Sequence, residues 1–372
     1  RLAYDVGGHV EYIQYILDHL RLPPPDGGWE FYQPPLYYVV NFVFSSIVQH
    51  VFLSIATISV AHGLSIIFAL LSVVLFFCIS SELFRQNYVR TLFFLLCATI
   101  PSVVFFSGRV NNDILLLPVG LLIILLCLRF QKNPKNVLWY SLAALGAAAT
   151  LIKLNGVLLM PCIAFALCIQ PKLNFPQKVT KALLGSLLFF ALTMWFFLPR
   201  LTNLNTPREA VVGNISNLNS GLIVPNTPSA FLVFHPIEIL KHPYNNPWND
   251  EERRQYFWEY FFRSSLFGEF NHGPALSSLA KGILFCWLAL LVFMLYGLIR
   301  SLKSFTREDW LMLVLFVTLI LGHVALRITY PFSSIQDFRY SVLLIVPTIW
   351  LLGMTYKRLS KSSKPILLSF SV

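Results

Sequence analysis

Apolar residues run through this chain in blocks too long for the core of a soluble domain, and polar residues collect between the blocks. At 1.5 Å per residue, about 20 apolar residues cross the roughly 30 Å of hydrocarbon in a bilayer. Stretches approaching that length lie at 60–82, 91–107, 114–130, 138–151, 155–170, 182–200, 279–300, 309–328 and 339–356. The pattern predicts an all-α polytopic membrane protein with about nine crossings. The pair within 138–170 is short for two crossings. Its break at Lys153, Asn155 and Gly156 predicts a tight hairpin.

The intervening loops sort by charge. Arg85 and Arg90 fall on one side, as do Lys132 and Lys135, then Lys172, Lys178 and Lys181. Arg300, Lys303 and Arg307 follow, with Lys357, Arg358, Lys361 and Lys364 at the end. Basic loops face the cytoplasm, so the opposite, outer side holds 1–59, 108–113, 153–155, 201–278 and 329–338. Parity then decides the apolar stretch 36–53. Counting it as a crossing would invert every later loop, and it contains Asn41, Gln49 and His50. It is predicted to be an amphipathic helix at the outer interface, started by Pro34-Pro35.

This divides the chain into four parts. Residues 1–59 form a first outer loop with juxtamembrane helices, and 60–200 form transmembrane helices with an acidic loop at 108–113. Residues 201–278 form a long outer loop with one helix near 250–264, and 279–372 hold the last spans and a basic cytoplasmic tail. The triplet Asn214-Ile215-Ser216 in the long loop is a glycosylation sequon, a weak pointer to the outer face. The chain opens on Arg1 in a polar segment, without initiator Met or signal sequence, which predicts a cut after an earlier apolar segment.

Composition agrees with lipid as the solvent: 56% of the residues are hydrophobic and only 12% charged, against about a quarter charged in soluble domains. The net charge of +11 would suit nucleic acid, but its confinement to short loops between apolar runs excludes that partner. All six cysteines lie in apolar runs without ligand-like spacing and are expected to be small buried hydrophobes.

Candidate chemistry sits at the outer boundary, where ionisable groups are costly to place without purpose. Asp5, His9 and Glu11 open the chain, followed by Glu30, Gln33 and Tyr37 around Pro34-Pro35. Asp113 precedes a span, Lys153 sits in the hairpin, and Arg339 opens the last span. Each has a plain structural reading: Asp5 and Asp113 as helix N-caps, Arg339 and Lys153 as snorkelling cations. Together they form a kit for reaction at a lipid-linked phosphate. One carboxylate takes a proton from an acceptor. A second holds a divalent cation such as Mg or Mn, with Asp5, His9 and Asp113 as ligands. Lys and Arg stabilise the leaving phosphate.

At these residues the sequence resembles a known family. The run YDVGGHVEYIQYILDHLRLPPPDGGWEFYQPPLYY is similar to the first outer loop of the GT-C glycosyltransferases. The resemblance is to the branch of dolichyl-phosphate-mannose–protein mannosyltransferases and lipid A aminoarabinose transferases. It continues through SGRVNND, ATLIKLNG and DFRY. The resemblance implies a GT-C-like transmembrane helix bundle with outer juxtamembrane helices, one long outer loop, and a span before the first loop. It implies a polyprenyl-phosphate sugar as donor, membrane lipid as partner, and a bacterial plasma membrane or endoplasmic reticulum membrane as location. It assigns Asp5 as acid/base, Asp113 as the second-loop acid, Lys153 and Arg339 as phosphate contacts, and Gln33, Tyr37 and Glu30 as substrate contacts. Glu11 and Glu269 are weaker candidates. The chain departs from the family in having Val6 after Asp5, where many relatives have an Asp-Glu pair, and Gln33 before Pro34, where many have His or Lys. Rival classes are a transporter, marked by midplane charges and inverted repeats, and an inactive relative that binds donor without turnover.

Overall fold

A computed structural model describes residues 5–52, 54–202, 220–269 and 271–362, and the Asn214 sequon lies outside them. The regular structure of the described residues is helical, apart from one isolated bridge between Ile223 and Phe332. The helices are α1 (Val6–His19), α2 (Leu36–Val51), α3 (Thr57–Leu83), α4 (Asn87–Thr99), α5 (Pro101–Ser107), α6 (Asp113–Lys132), α7 (Asn136–Ile152), α8 (Met160–Cys168) and α9 (Phe175–Leu201). They continue as α10 (Pro228–Leu232), α11 (Pro236–Lys241), α12 (Phe257–Phe267), α13 (Ser277–Ser301), α14 (Arg307–Thr329) and α15 (Ile345–Ser362).

Six helical segments are long and apolar enough to cross a membrane: Thr57–Leu83, Asp113–Lys132, Phe175–Leu201, Pro274–Ser304, Arg307–Thr329 and Ser333–Tyr356. The protein is an integral, multi-pass membrane protein. Three of the nine expected crossings do not reach span length. The stretch 91–107 breaks at Ile100, whose backbone is extended (φ −58°, ψ 130°) before Pro101, because a proline clashes with a helical residue ahead of it. The pair 138–151 and 155–170 becomes α7 and, after a 3-10 turn over Leu154–Leu159, the short α8.

The chain forms two compact units, Arg1–Leu75 with Val103–Gly221, and Phe76–Ser102 with Leu222–Val372. In the first, α6 is buried almost all round, with Ile114, Leu121, Ile123, Ile124 and Leu128 inaccessible. A helix apolar on every face is a core helix. It packs against α7 and α8, where Gln131 Nε2 donates to the Ala166 carbonyl at 2.6 Å. Trp139 on α7 lies on Gly185 of α9 and donates to the Lys181 carbonyl at 2.7 Å. The turn at 153–156 requires a glycine. A Cβ on Gly156 would overlap the backbone of Ala149 and Thr150, atoms that cannot swing away. Gly156→Ala is therefore expected to lower the melting temperature in detergent by several degrees, roughly the effect of 1–3 kcal/mol of overpacking. An unchanged melting curve would show that the turn reforms without this close approach.

In the second unit α15 packs against α4, α13 and α14, and α12 lies against the 3-10 segment Phe338–Leu344. The predicted helix at 250–264 starts later, at Phe257. Residues up to 256 form turns, among which Arg253 takes a left-handed backbone (φ 65°). The cysteines also depart from expectation: Cys97, Cys127 and Cys162 are buried, but Cys168 and Cys286 are exposed.

Candidate functional site

In the first unit the structure joins three of the sequence segments singled out above. Asp113 is the first residue of α6, behind the N-cap Asn112. Its carboxylate accepts from Lys153 Nζ at 2.7 Å, with the two side chains 2% and 12% exposed. Lys153 stands at the end of α7 with extended backbone (φ −156°, ψ 138°). That break in the helix turns its side chain back to α6 and makes it more than a snorkelling cation. Asn112 Nδ2 donates to Gln33 Oε1 at 3.1 Å and to the Ile152 carbonyl at 3.3 Å. The residue before Pro34 is thereby tied to both the second loop and the hairpin.

The first loop packs behind this junction. Tyr12 of α1 stacks on Tyr38 of α2 with ring centroids 3.7 Å apart, and its hydroxyl donates to the Gln33 carbonyl at 3.3 Å. His9 Nδ1 lies 2.8 Å from Tyr38 Oη and is 3% exposed. Glu30 is buried under Gly8 of α1, where any larger residue would strike it. Tyr37, also buried, sits within electrostatic reach of Asp113. Asp5 occupies the N-cap position of α1, yet its side chain makes no capping hydrogen bond, so the N-cap reading does not account for it. Glu11 is exposed on α1.

The expected metal set is not assembled. Among the described residues, no three or more His, Cys, Asp or Glu side chains gather as a possible ion site. Of the three proposed ligands, His9 is held in the tyrosine stack and Asp113 by Lys153.

One cation of the first unit escaped the sequence reading. Arg200, in the last turn of α9, lays its guanidinium over the Phe196 ring at 3.7 Å. Its one hydrogen bond goes to the Phe196 carbonyl at 3.4 Å, and its Nε is buried without a partner among the described residues. Tyr12 lies within its electrostatic reach. The sequence signal was an arginine directly after a proline at a span's outer end.

The second unit carries its own polar cluster. Arg339 sits beside Tyr340, its Nη2 3.4 Å from Tyr340 Oη, and its backbone N–H donates to Asp337 Oδ1 at 2.7 Å. Tyr260 donates to Glu269 Oε1 at 3.3 Å. Burial, then Glu269 and Asp337, hold its phenol well above the usual range, with Arg339 opposing. Beneath them lies an ion pair the sequence did not reveal. Glu259 is fully buried and accepts from Arg253 Nε and Nη2 at 2.6 and 2.7 Å, and from the His235 backbone N–H at 3.0 Å. Arg253 Nη2 also donates to His235 Nδ1 at 2.6 Å. The Glu259 bond raises the Arg253 pKa further, so Arg253 stays protonated at any physiological pH.

Residues 33–197 match the family of dolichyl-phosphate-mannose-protein mannosyltransferases. That segment contains Gln33, Asn112, Asp113 and Lys153, the residues of the first unit's junction. No curated protein matches the sequence. Among solved structures, ArnT from Cupriavidus metallidurans in the apo state is similar at a TM-score of 0.44 and 14% identity, with 97% of this chain and 74% of that chain covered. ArnT from Cupriavidus metallidurans bound to undecaprenyl phosphate is similar at 0.46 and 14%, with 97% and 75% covered.

Proposed function

We propose that this chain is a GT-C membrane glycosyltransferase that moves a sugar from a polyprenyl phosphate to an acceptor at the outer face of the membrane, a reading supported by the match of residues 33–197 to the dolichyl-phosphate-mannose-protein mannosyltransferases. The observation that carries this reading is the Gln33–Asn112–Asp113–Lys153 junction, which lies wholly within the matched segment and brings a buried ammonium to the first loop.

In this reading Asp5 takes the proton of an acceptor hydroxyl or amine. The acceptor's lone pair forms the new bond to the anomeric carbon as the bond from that carbon to the phosphate oxygen breaks. Attack from the face opposite the phosphate inverts the centre. The bonding pair stays on the departing oxygen, so the lipid phosphate leaves with an added negative charge. Lys153 and Arg200 meet that charge in a setting drier than water, where fixed cations stabilise it most. Asp113 holds and aims Lys153. Gln33 and Tyr37 line the same junction, and Glu30 supports α1 behind it. Arg339 and Glu269, in the second unit, are proposed separately as an anion contact and an acidic contact. The lipid is either undecaprenyl or dolichyl, in a bacterial plasma membrane or an endoplasmic reticulum membrane.

The test is transfer by purified, vesicle-inserted protein from a panel of labelled polyprenyl-phosphate sugars. Asp5→Asn is expected to lose about 10²–10⁴ of the rate with its melting temperature unchanged. Arg200→Ala is expected to weaken binding of sugar-free polyprenyl phosphate roughly tenfold. Full transfer by Asp5→Asn would remove the proposed base, and unchanged lipid binding by Arg200→Ala would remove that contact. Loss of transfer on adding a chelator would reinstate a divalent cation.

A further inference from the structure

α2 carries a feature that helix packing does not use and that the proposed chemistry touches only at Tyr37. Tyr37, Asn41 and Ser45 recur every four residues, so they form one stripe along the helix, and all three are 1% exposed or less. Each leaves a buried polar atom without a hydrogen-bond partner among the described residues: Tyr37 Oη, Asn41 Oδ1 and Ser45 Oγ. Buried polar atoms in folded proteins are nearly always bonded, and each one left alone costs free energy. Three in a row on one helix face is not scatter.

The local geometry shows that these atoms are held out for a partner. Asn41 Nδ2 donates to the Tyr37 carbonyl at 2.9 Å, which fixes the amide and leaves its oxygen presented. The Asn41 side chain interacts with Tyr37 Oη, but not in a geometry that satisfies the hydroxyl. Serines on helices here ordinarily bond back to a carbonyl one turn earlier, as Ser46, Ser65 and Ser72 do. Ser45 does not. The stripe spans about 12 Å at 1.5 Å per residue, and its Tyr37 end lies within electrostatic reach of Asp113.

The atoms define their ligand by chemistry. Two are hydroxyls that donate and accept, one is an acceptor, and the stripe carries no charge. The complement is an uncharged group bearing several hydroxyls. α2 packs against α1 and α7, and in this conformation that packing closes the stripe. We propose that Tyr37, Asn41 and Ser45 form a sugar-recognition strip, which bonds the hydroxyls of the donor's sugar when α2 parts from α1 and α7. This rests on the glycosyltransferase reading above, and assigns specificity to a helix face that approaches Asp113 at its Tyr37 end.

The experiment compares wild type with Asn41→Leu and Ser45→Ala, measuring melting temperature without lipid and the affinity for two kinds of probe. The probes are a sugar-free polyprenyl phosphate and whichever polyprenyl-phosphate hexose or pentose of a panel wild type prefers to it. Ser45→Ala removes only an orphaned polar atom, so its melting temperature should hold or rise. Asn41→Leu also removes the Nδ2 bond to the Tyr37 carbonyl, so its melting temperature should fall by no more than one hydrogen bond is worth. Affinity for the sugar-bearing lipid should fall roughly fivefold to tenfold per variant, the worth of one hydrogen bond, and that for the sugar-free lipid should not change. A parallel loss for both lipids, or a lowered melting temperature with no change in preference, would make the stripe a packing element and overturn the proposal. So would a wild type that prefers no sugar. Failure of lipid-phosphate binding itself would fall instead on the glycosyltransferase reading.

Discussion

Lys153→Ala is expected to abolish transfer and to lower stability together, and the two effects can be separated. Asp113 is 2% exposed and Lys153 supplies its ion pair at 2.7 Å. Breaking a buried pair by removing one partner leaves an uncompensated charge and typically costs about 3–5 kcal/mol. The melting temperature should fall by many degrees on that ground alone. The double variant Asp113→Asn with Lys153→Met removes both charges, and neutral replacement of a buried pair is often without penalty. Its melting temperature should return close to wild type. Transfer should not return, because the departing phosphate still lacks its ammonium, a loss of about 10²–10³ for one charge-stabilising donor. Lys153→Arg keeps the charge and should retain part of the rate. Thermal melting and single-turnover transfer on the same preparations read both quantities. If the double variant melts like wild type and transfers at full rate, the pair is structural and Lys153 has no part in the reaction.

That pair shows what the sequence made legible. Asp113 and Lys153 stood out because each interrupts an apolar run, and an ionisable group there is expensive. Hydropathy likewise located the six long spans. It failed where length alone misleads: 91–107 reads as one span, yet Pro101 divides it. Pairing was not legible. Nothing along the chain says that Asn112 meets Gln33, because that bond depends on how α6 and the first loop pack. Arg200 was lost among span ends, where an arginine ordinarily meets water. Asn41 was noticed only as a polar blemish on an apolar helix, and served to argue that α2 does not cross. Its position in register with Tyr37 and Ser45 is readable at helical spacing, but whether such atoms are bonded is a fact of packing.

The long outer loop gives the second large effect. WNDEERRQYFWEYFF holds three glutamates and two arginines in close succession, and composition cannot tell which of them turn inward. The left-handed turn at Arg253 decides it, directing that side chain back to Glu259 while Arg263, one turn along α12, enters the core. Arg263 is 1% exposed and has no carboxylate on its guanidinium among the described residues. It donates instead to the carbonyls of His242, Tyr244 and Glu252 at 3.0, 3.2 and 3.0 Å. Burial pushes its pKa down to about 10, so it remains protonated at neutral pH with every donor intact. One planar fork therefore pins three points of an otherwise irregular segment. Arg263→Met keeps the stem and removes the fork, leaving three carbonyls to find water or stay unbonded, at about 1–3 kcal/mol for each that stays buried. The loop over 242–252 is expected to lose hydrogen-exchange protection and become open to proteolysis, with the spans protected as before. Arg263→Lys should not rescue it, since an ammonium is a point donor and cannot reach three separated carbonyls. Exchange in 242–252 unchanged by Arg263→Met would show that the segment is held by its helices and by the Glu259 pair instead.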